Sequence, residues 1–340
     1  SSTYNARMNV FPVIAIGTCT TNLEGKILDV RYDLMQSKDD PIVNIKSSTA
    51  SWGSDYNSLL SYYEKSKENN YEITDYSKHP RGKREREKII IHKLEKDESI
   101  KDVKDAYLKL HLLSKKLVKP NSINLDGIFA ALPNVAWTNH GPMDPMDIDR
   151  LRNNYDFLYI KSLDKFPCLT DYIIPDGVRI ADAARVRLGA YLSEGTTVMH
   201  EGFVNFNAGT LGPTMIEGRI SAGVIIGANS DLGGGCSTMG TLSGGNAIKI
   251  SVGEDCLLGA NSGLGIPLGD RCTIEAGLYL TGGSKVQVMD QENNVVSTVK
   301  ASELASKSDL LFIRNSLSGA IQCKPNKKSV VLNDQLHTND

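Results

Sequence analysis

The sequence predicts an α/β N-terminal domain, a left-handed parallel β-helix of hexapeptide repeats, and a small C-terminal extension. Two observations predict the β-helix and a third the domain before it. First, from Ile174 the chain counts in sixes: Ile174, Ile180, Val186, Leu192, Val198, Val204, Thr210 and Ile216, all aliphatic but Thr210. The frame jogs, then continues through Ile220, Ile226, Leu232, Thr238, Gly244, Ile250, Cys256, Ser262, Leu268, Ile274, Leu280 and Val286. Second, the residue four places after the aliphatic one is often small, as at Ala184, Ala190, Thr196, Gly202, Ala208, Ser230, Cys236 and Ala260. Neither the helical period of 3.6 nor the strand period of 2 produces this pattern. A β-helix does: each hexad makes one flat strand and a corner, three hexads close a triangular coil, and coils stack at ~4.8 Å. The aliphatic residue is expected to point inward and the small one to let the chain turn. About six coils then fit between residues 174 and 286. Hexads of this kind wind left-handed, an exception to the usual right-handed crossover.

The third observation concerns residues 1–120. "NVFPVIAIGTCT" (Asn9–Thr20) is a β-branched run suited to a buried strand. "SIKDVKDAYLKLHLLSKKLV" (Ser99–Val118) places Val103, Ala106, Tyr107, Leu110 and Leu113 on one helical stripe with lysines opposite. "KREREK" (Lys83–Lys88) alternates acidic with basic residues and reads as a solvated helix face rather than a polyanion site. Residues 121–172 are expected to form a helical linker, in which "GPMDPMDIDRLRNN" (Gly141–Asn154) turns into a short helix with Asp as cap. The β-helix is bounded at 173–288. The extension, 289–340, begins within "GGSKVQVMDQENNVVSTVKASEL" (Gly282–Leu304), read as a hairpin leaving the prism before a short helix and further strands.

Composition narrows the function. The net charge of −2 balances Lys and Arg against Asp and Glu, so nothing marks a nucleic-acid or anionic-membrane partner. No apolar run approaches the ~18 residues of a membrane span, and no basic, apolar leader is visible. The six cysteines show no CxxC pairing or dense spacing, which suits a reduced, cytoplasmic protein.

Three functions compete on such a prism: CoA-dependent acyl transfer, a zinc-dependent carbonic anhydrase, and a purely structural role. The anhydrase needs three histidines. Here His79, His92, His111 and His140 precede the prism, His337 follows it, and His200 stands alone within it. A nucleotidyltransferase would begin with a glycine-rich nucleotide-binding segment, and none is seen. A structural protein has no need to cluster Arg179, Arg185, Arg187, His200, Glu201, Asn205, Asn207, Glu217 and Arg219. Acyl transfer leads, with arginines suited to planar, bidentate recognition of carboxylates. Arg179, Arg185, Arg187 and Arg219 are the candidates, two of the four being expected at the substrate.

The segments "GVRIADAARVRLGAYLSEGTTVMHEGFVNFNAGTLG", "MIEGRISAG", "SDLGGGCSTMGTLSGG", "LLGANSGLGIPLGD" and "IEAGLYLTGG" carry a more specific resemblance. Together with "LLFIRNSLSGA" (Leu310–Ala320) they resemble the tetrahydrodipicolinate N-succinyltransferases, in the long form of actinobacteria and pseudomonads. Over the first 120 residues the similarity is one of size and general character. The resemblance implies a homotrimer of lysine and diaminopimelate biosynthesis, acting on small molecules. It would move succinyl from succinyl-CoA to the amine of ring-opened tetrahydrodipicolinate. A hexapeptide-repeat acyltransferase with another donor or amine acceptor is the alternative.

Site residues follow from the same resemblance. Glu217, in "IEGRIS", matches the family's proposed acyl-anhydride nucleophile; a general base, Glu217 or His200, is the other route. The succinyl-CoA contacts carry over to Arg219, Gly234, Ser237, Ala260, Glu275, Ala276, Gly283, Lys300, Ile313, Arg314, Asn315 and Ser316. Relatives have an arginine where this chain has Ile313, so one phosphate contact is expected to be missing. Arg179, Arg185, Arg187, His200, Asn205 and Asn207 are assigned to the acceptor. Glu201, in "MHEGF", matches a Mg²⁺ ligand whose partner is an aspartate in "ADADRV". Here the motif reads "ADAARV", with Ala184 at that place, so a weak or absent metal is expected.

Overall fold

The computed structural model describes residues 9–39, 55–69, 86–240 and 248–326. His79, Lys83–Glu85 of the "KREREK" run, Gly244 and His337 lie outside the described residues; the rest of that run, Arg86–Lys88, is a turn entering the strand Glu87–Leu94 and not the helix face expected. The described residues divide into two units: those up to 112 with 122–167, and 113–121 with those from 168 onward.

In the first unit, strands β1 (Val13–Thr21), β2 (Ile27–Ser37) and β3 (Glu87–Leu94) form an antiparallel sheet in the order β2-β1-β3. The β-branched run of β1 takes the centre, where both faces are covered. Helix α1 (Tyr56–Asn69) packs Tyr56 and Leu59 against Ile14, Ile16, Leu34 and Ile89. Helix α2 (Val103–Ser114) departs from the expected stripe. Ala106, Tyr107, Leu110 and Leu113 are buried as predicted and Val103 partly so, but Lys109, on the side read as solvated, is fully buried as well. Its ammonium donates to Asp97 at 3.0 Å, to the Asn124 carbonyl at 2.7 Å and to the Glu98 carbonyl, which satisfies the charge inside the protein. His111 is buried too. It accepts from the Tyr32 amide at 3.2 Å, which fixes the other ring nitrogen as the donor to the Tyr107 carbonyl.

Residues expected to form a helical linker carry a second antiparallel sheet instead. Strands β4 (Val135–Thr138), β5 (Gly141–Met143) and β6 (Ile160–Asp164) pair in the order β5-β4-β6. The sequence "VAWT" of β4 is β-branched and aromatic, and all four residues are buried. The turn that follows β5 is as expected: Asp144 caps it, accepting from the Met146 amide at 2.9 Å.

The second unit is the left-handed parallel β-helix. One face stacks Arg179–Ile180, Thr196–Val198, Thr214–Ile216, Asp231–Leu232, Leu257–Leu258 and Thr273–Ile274. The second stacks Phe203–Val204, Arg219–Ile220, Ser237–Thr238, Gly263–Leu264 and Tyr279–Leu280. The third stacks Ala190–Tyr191, Ala208–Thr210, Ile225–Ile226 and Ser251–Val252. Hexad residues Val198, Val204, Ile216, Ile220, Ile226, Leu232, Ile274 and Leu280 fill the core. Thr210, the polar exception, is also fully buried, its hydroxyl 2.7 Å from that of Thr196 inside the prism.

Three details differ from the hexad reading. Ile174 is 86% exposed, and the ladder begins with Ile180. Several small residues, Ala190, Thr196, Ala208, Ser230 and Cys236, are buried beside the aliphatic ones, so each hexad sends two side chains inward. The frame also slips: Ile226 stacks on Val252, Leu232 on Leu258 and Thr238 on Leu264. These three, and not Ile250, Cys256 and Ser262, hold the aliphatic places, because the chain between Thr238 and Val252 is not a whole number of hexads. Beyond Leu280 the chain leaves as a hairpin, Lys285–Met289 with Val295–Lys300, and a short helix follows, Ala301–Leu304. Leu310–Arg314 then returns to pair with Thr273–Ile274, and Ile321–Pro325 lies antiparallel beside it.

Candidate active site

The jog in the hexad frame marks a structural defect at one edge of the prism. Between the first and second faces the chain turns through Met199–Gly202, Gly233–Cys236, Gly259–Ser262 and Glu275–Leu278 on successive levels. At one level it turns through Glu217 and Gly218 alone. The longer turns on either side leave Glu217 in a notch. The backbone ties it to both neighbours: the Met199 amide donates to the Ile216 carbonyl at 2.9 Å, the Phe203 amide to Gly218 at 3.0 Å and the Gly235 amide to Glu217 at 3.0 Å. The Glu217 side chain is partly buried, and a Cβ built on Gly234 would lie 3.8 Å from its Oε2. A Cβ on Gly218 would lie 2.3 Å from the Cys236 sulfur. Burial, with the carboxylates of Asp231 and Glu217 nearby, pushes the Cys236 thiol up to about 12. It is a packed side chain and not a nucleophile.

Strand register brings much of the expected donor set to this same edge. Glu217–Gly218, Gly233–Gly234, Gly259–Ala260, Glu275–Ala276 and Ile313–Arg314 lie one above another, following the pairs Ile216 with Leu232, Leu258 with Ile274, and Ile274 with Phe312. Five levels span ~19 Å at strand spacing. Arg219 and Ser237 pair directly on the adjoining face. Tyr279, which sequence reading did not single out, belongs here as well. Its ring lies across Gly263, where a Cβ would be 2.2 Å from the ring. Only the true register, hidden by the frame slip, reveals that stacking.

Hydrogen bonding then separates the candidates. Among the described residues, the side chains of Glu217, Arg219, His200, Glu201 and Ser237 have no hydrogen-bond or ion-pair partner. Others are engaged within the fold. Arg185 donates to the carbonyls of Gly202 at 3.0 Å and Glu201 at 3.2 Å, holding the turn above the notch. Arg187 donates to Asn205 at 3.1 Å, on the edge between the second and third faces. Asn207, with φ of 56°, accepts from the Asn121 amide at 2.7 Å and donates to its side chain. Arg187, Asn205 and Asn207 therefore sit on a different edge of the prism from Glu217. Arg179 opens the first face, paired with Thr197. The Glu275 carboxylate accepts from the Arg314 amide at 2.7 Å, and the Arg314 guanidinium donates to Gly319 at 2.7 Å. Asn315 accepts from Leu317 and Ser318, so this segment forms a self-bonded turn with Ile313 partly buried and Ser316 exposed. Gly283 and Lys300 are exposed near the base of the hairpin.

For Mg²⁺ the resemblance points to Glu201 and to the place held by Ala184. Glu201 is exposed, Ala184 is a methyl group where a second oxygen is needed, and Glu201 joins no cluster of potential ligands among the described residues.

A hexapeptide prism with one unpaired carboxylate in an edge notch, beside an unpaired arginine, defines an acyltransferase of the hexapeptide-repeat class. Residues 249–282 match the family model described as the hexapeptide repeat of succinyl-transferase. Residues 28–130 and 132–167 match the N-terminal and middle models of tetrahydrodipicolinate N-succinyltransferase. The chain belongs to the tetrahydrodipicolinate N-succinyltransferase family. It is 61% identical over 251 residues, 73% of each chain, to the 2,3,4,5-tetrahydropyridine-2,6-dicarboxylate N-succinyltransferase of Pseudomonas putida. To the enzyme of the same name from Vibrio cholerae it is 55% identical over 256 residues, 74% of this chain and 75% of that one. A crystal structure from Campylobacter jejuni, described as a putative 2,3,4,5-tetrahydropyridine-2-carboxylate N-succinyltransferase, superposes with a TM-score of 0.76. It shares 33% identity and covers 96% of this chain and 95% of that one. The N-terminal matches extend the kinship to a region where the sequence offered only general similarity.

Proposed function

We propose that this chain transfers succinyl from succinyl-CoA to the amine of ring-opened tetrahydrodipicolinate, giving N-succinyl-2-amino-6-oxopimelate and CoA. The observation that carries the site assignment is the unpaired Glu217 carboxylate in the notch, at the head of the column Gly234, Ala260 and Ala276. The donor's arm lies along that column, where small residues leave room for close approach. Tyr279 and Ser237 flank it, and Arg219 meets the succinyl carboxylate as a planar, bidentate partner. Glu217 acts as general base. The acceptor nitrogen bonds to the thioester carbon, its proton passes to Glu217, and the C–S bond breaks. The proton then reaches the departing thiolate, so the carboxylate is regenerated. A half-exposed carboxylate suits this exchange better than an anhydride, which must be screened from water. His200, on the turn above, positions the acceptor, together with Arg179 and with the Arg187–Asn205 pair of a neighbouring prism.

The same reading includes a homotrimer with sites between neighbouring prisms, the fold being one whose flat faces favour assembly. No step runs through a metal. The test is CoA release from succinyl-CoA with tetrahydrodipicolinate or 2-aminopimelate, set against acetyl-CoA and simple amines, on a species sized by light scattering. Glu217→Gln should lose at least ~10²-fold in turnover while still binding succinyl-CoA, and His200→Gln should lose less. Near-wild-type turnover in Glu217→Gln with loss in His200→Gln would make the histidine the base. An active monomer would remove the trimer from the reading.

A further inference from the structure

We infer that the N-terminal unit carries a separate binding site for a small α-amino acid, whose carboxylate is held by Arg86. A cavity of about 520 Å³ opens in this unit, lined among others by Thr20, Arg86, Glu87, Asn139, His140 and Tyr155. That volume falls within the range of small-molecule pockets. None of the residues proposed for acyl transfer lines it.

Arg86 carries the inference. Its Nε and Nη1 are both buried and neither has a hydrogen-bond partner. Buried polar groups are almost always paired, and an arginine left unpaired implies a missing acceptor. Nε lies on the side edge of the guanidinium and Nη1 on its end, so each edge offers an unfilled donor to a two-oxygen anion. The backbone fixes where this group stands. Arg86 has φ of 67°, a left-handed conformation for a residue with a side chain. Its carbonyl accepts from the Thr21 amide at 3.0 Å and from the Thr21 hydroxyl at 3.3 Å. A strained residue pinned in this way at the end of the β1–β3 ladder, with its side chain unpaired in a cavity, is a device for presenting that side chain.

The rest of the lining is preorganised. His140 stacks on Tyr155 with ring centroids 4.2 Å apart, and its Nε2 lies 2.8 Å from the Phe157 carbonyl. Asn139 donates to that same carbonyl at 3.2 Å and accepts from the Tyr159 amide at 2.8 Å. These bonds hold a flat aromatic platform in place. Charge selects the ligand class. Glu87, cross-strand partner of Thr20 and engaged within the fold, lines the same cavity as Arg86. A negative charge on the residue next to Arg86 disfavours a phosphate dianion and suits a zwitterion, whose ammonium offsets that charge while its carboxylate meets Arg86.

The test is isothermal titration of the full chain with L-alanine, L-leucine, their carboxamides and inorganic phosphate. One amino acid per chain is expected to bind with Kd of ~1 mM or tighter, and each carboxamide at least ~10-fold more weakly. Arg86→Gln should lose amino-acid binding by the same factor while CoA-release turnover is unchanged, and Arg86→Lys should fall between. Should the Arg86 variants fail to fold, the comparison of acid with amide on the unaltered chain still decides. The inference is overturned if neither amino acid binds at ~10 mM, if the carboxamides bind as well, if phosphate binds more tightly, or if Arg86→Gln keeps its affinity.

Discussion

Gly218→Ala perturbs the notch without touching a charged group. A Cβ at this position would lie 2.3 Å from the Cys236 sulfur and 2.5 Å from the Cys236 carbonyl oxygen. Comfortable contact begins near 3.5 Å, so the coils must part by roughly 1 Å, the difference between 3.5 and 2.5. The ladder resists, because the Phe203 amide donates to Gly218 at 3.0 Å and the Arg219 amide to Cys236 at 2.8 Å. Overpacking of this kind costs about 1–3 kcal/mol, or roughly 2–12 °C in melting temperature for a domain of this size. The same displacement moves Glu217, and an error of 1 Å in a reacting group reduces turnover by up to ~10²-fold. Gly234→Ala is the matched control. Its Cβ meets only Glu217 Oε2, at 3.8 Å, an ordinary contact. It should melt within ~0.5 kcal/mol of the unaltered chain and raise the KM for succinyl-CoA more than it lowers kcat. Circular dichroism melts and CoA-release kinetics read out both. If Gly218→Ala melts and turns over like the unaltered protein, the two-residue turn does not hold Glu217 in place, and the notch argument fails.

Two other predictions concern the N-terminal unit. Lys109→Met should destabilise the unit by about 2–4 kcal/mol, since truncation strands a carboxylate and two carbonyls; the partial exposure of Asp97 keeps the loss below that of a fully buried pair. A urea midpoint unchanged by this substitution would show that the buried ammonium contributes nothing net. Asp105 is one pH-sensitive group of this unit. Burial pulls its carboxyl upward, but the hydrogen bond with His92 at 2.7 Å and the Lys101 amide outweigh this and hold it below the ordinary carboxylate value. A depressed folded value stabilises the protein above the unfolded pKa of ~3.9, and the gain is lost as pH falls through the folded value. The stability gap between the unaltered chain and Asp105→Asn, measured in urea, should therefore be full near neutrality and close in strong acid. A gap independent of pH would contradict this.

The prism was legible because its repeat writes each inward position many times over. One irregular residue such as Thr210 does not erase a period carried by Val198, Val204, Ile216 and Ile220. The jog between Ile216 and Ile220 was equally visible, although sequence could not say that it falls on a single edge and leaves Glu217 recessed. The slip after Thr238 was missed, and Tyr279 over Gly263 with it, because Cys256 and Ser262 are buried too and mimic the expected frame. Side-chain commitments were beyond reach. That Arg185 holds a turn and Asn207 holds Asn121 depends on residues one coil or 86 positions away. Lys109 misled for the same reason: a lysine opposite an apolar stripe reads as solvated until Asp97 and Asn124 are brought to it from other segments. The cavity at Arg86 joins the end of β1 to residues 139–155, a meeting that no local pattern announces.

The returning strand Leu310–Arg314 has a consequence for how long such a prism can grow. Every level of a parallel ladder presents the next with the same unpaired amides and carbonyls, so the architecture contains no length at which it must stop. On the first face, Leu310–Arg314 adds one further parallel strand, and Ile321–Pro325 then runs the opposite way beside it. Reversal breaks the screw operation that relates one level to the next. The sheet then runs on through Lys285–Met289 and ends on Val295–Lys300, hairpin strands outside the coil, so another molecule arriving at this face meets a hairpin edge and not a level on which the winding can continue.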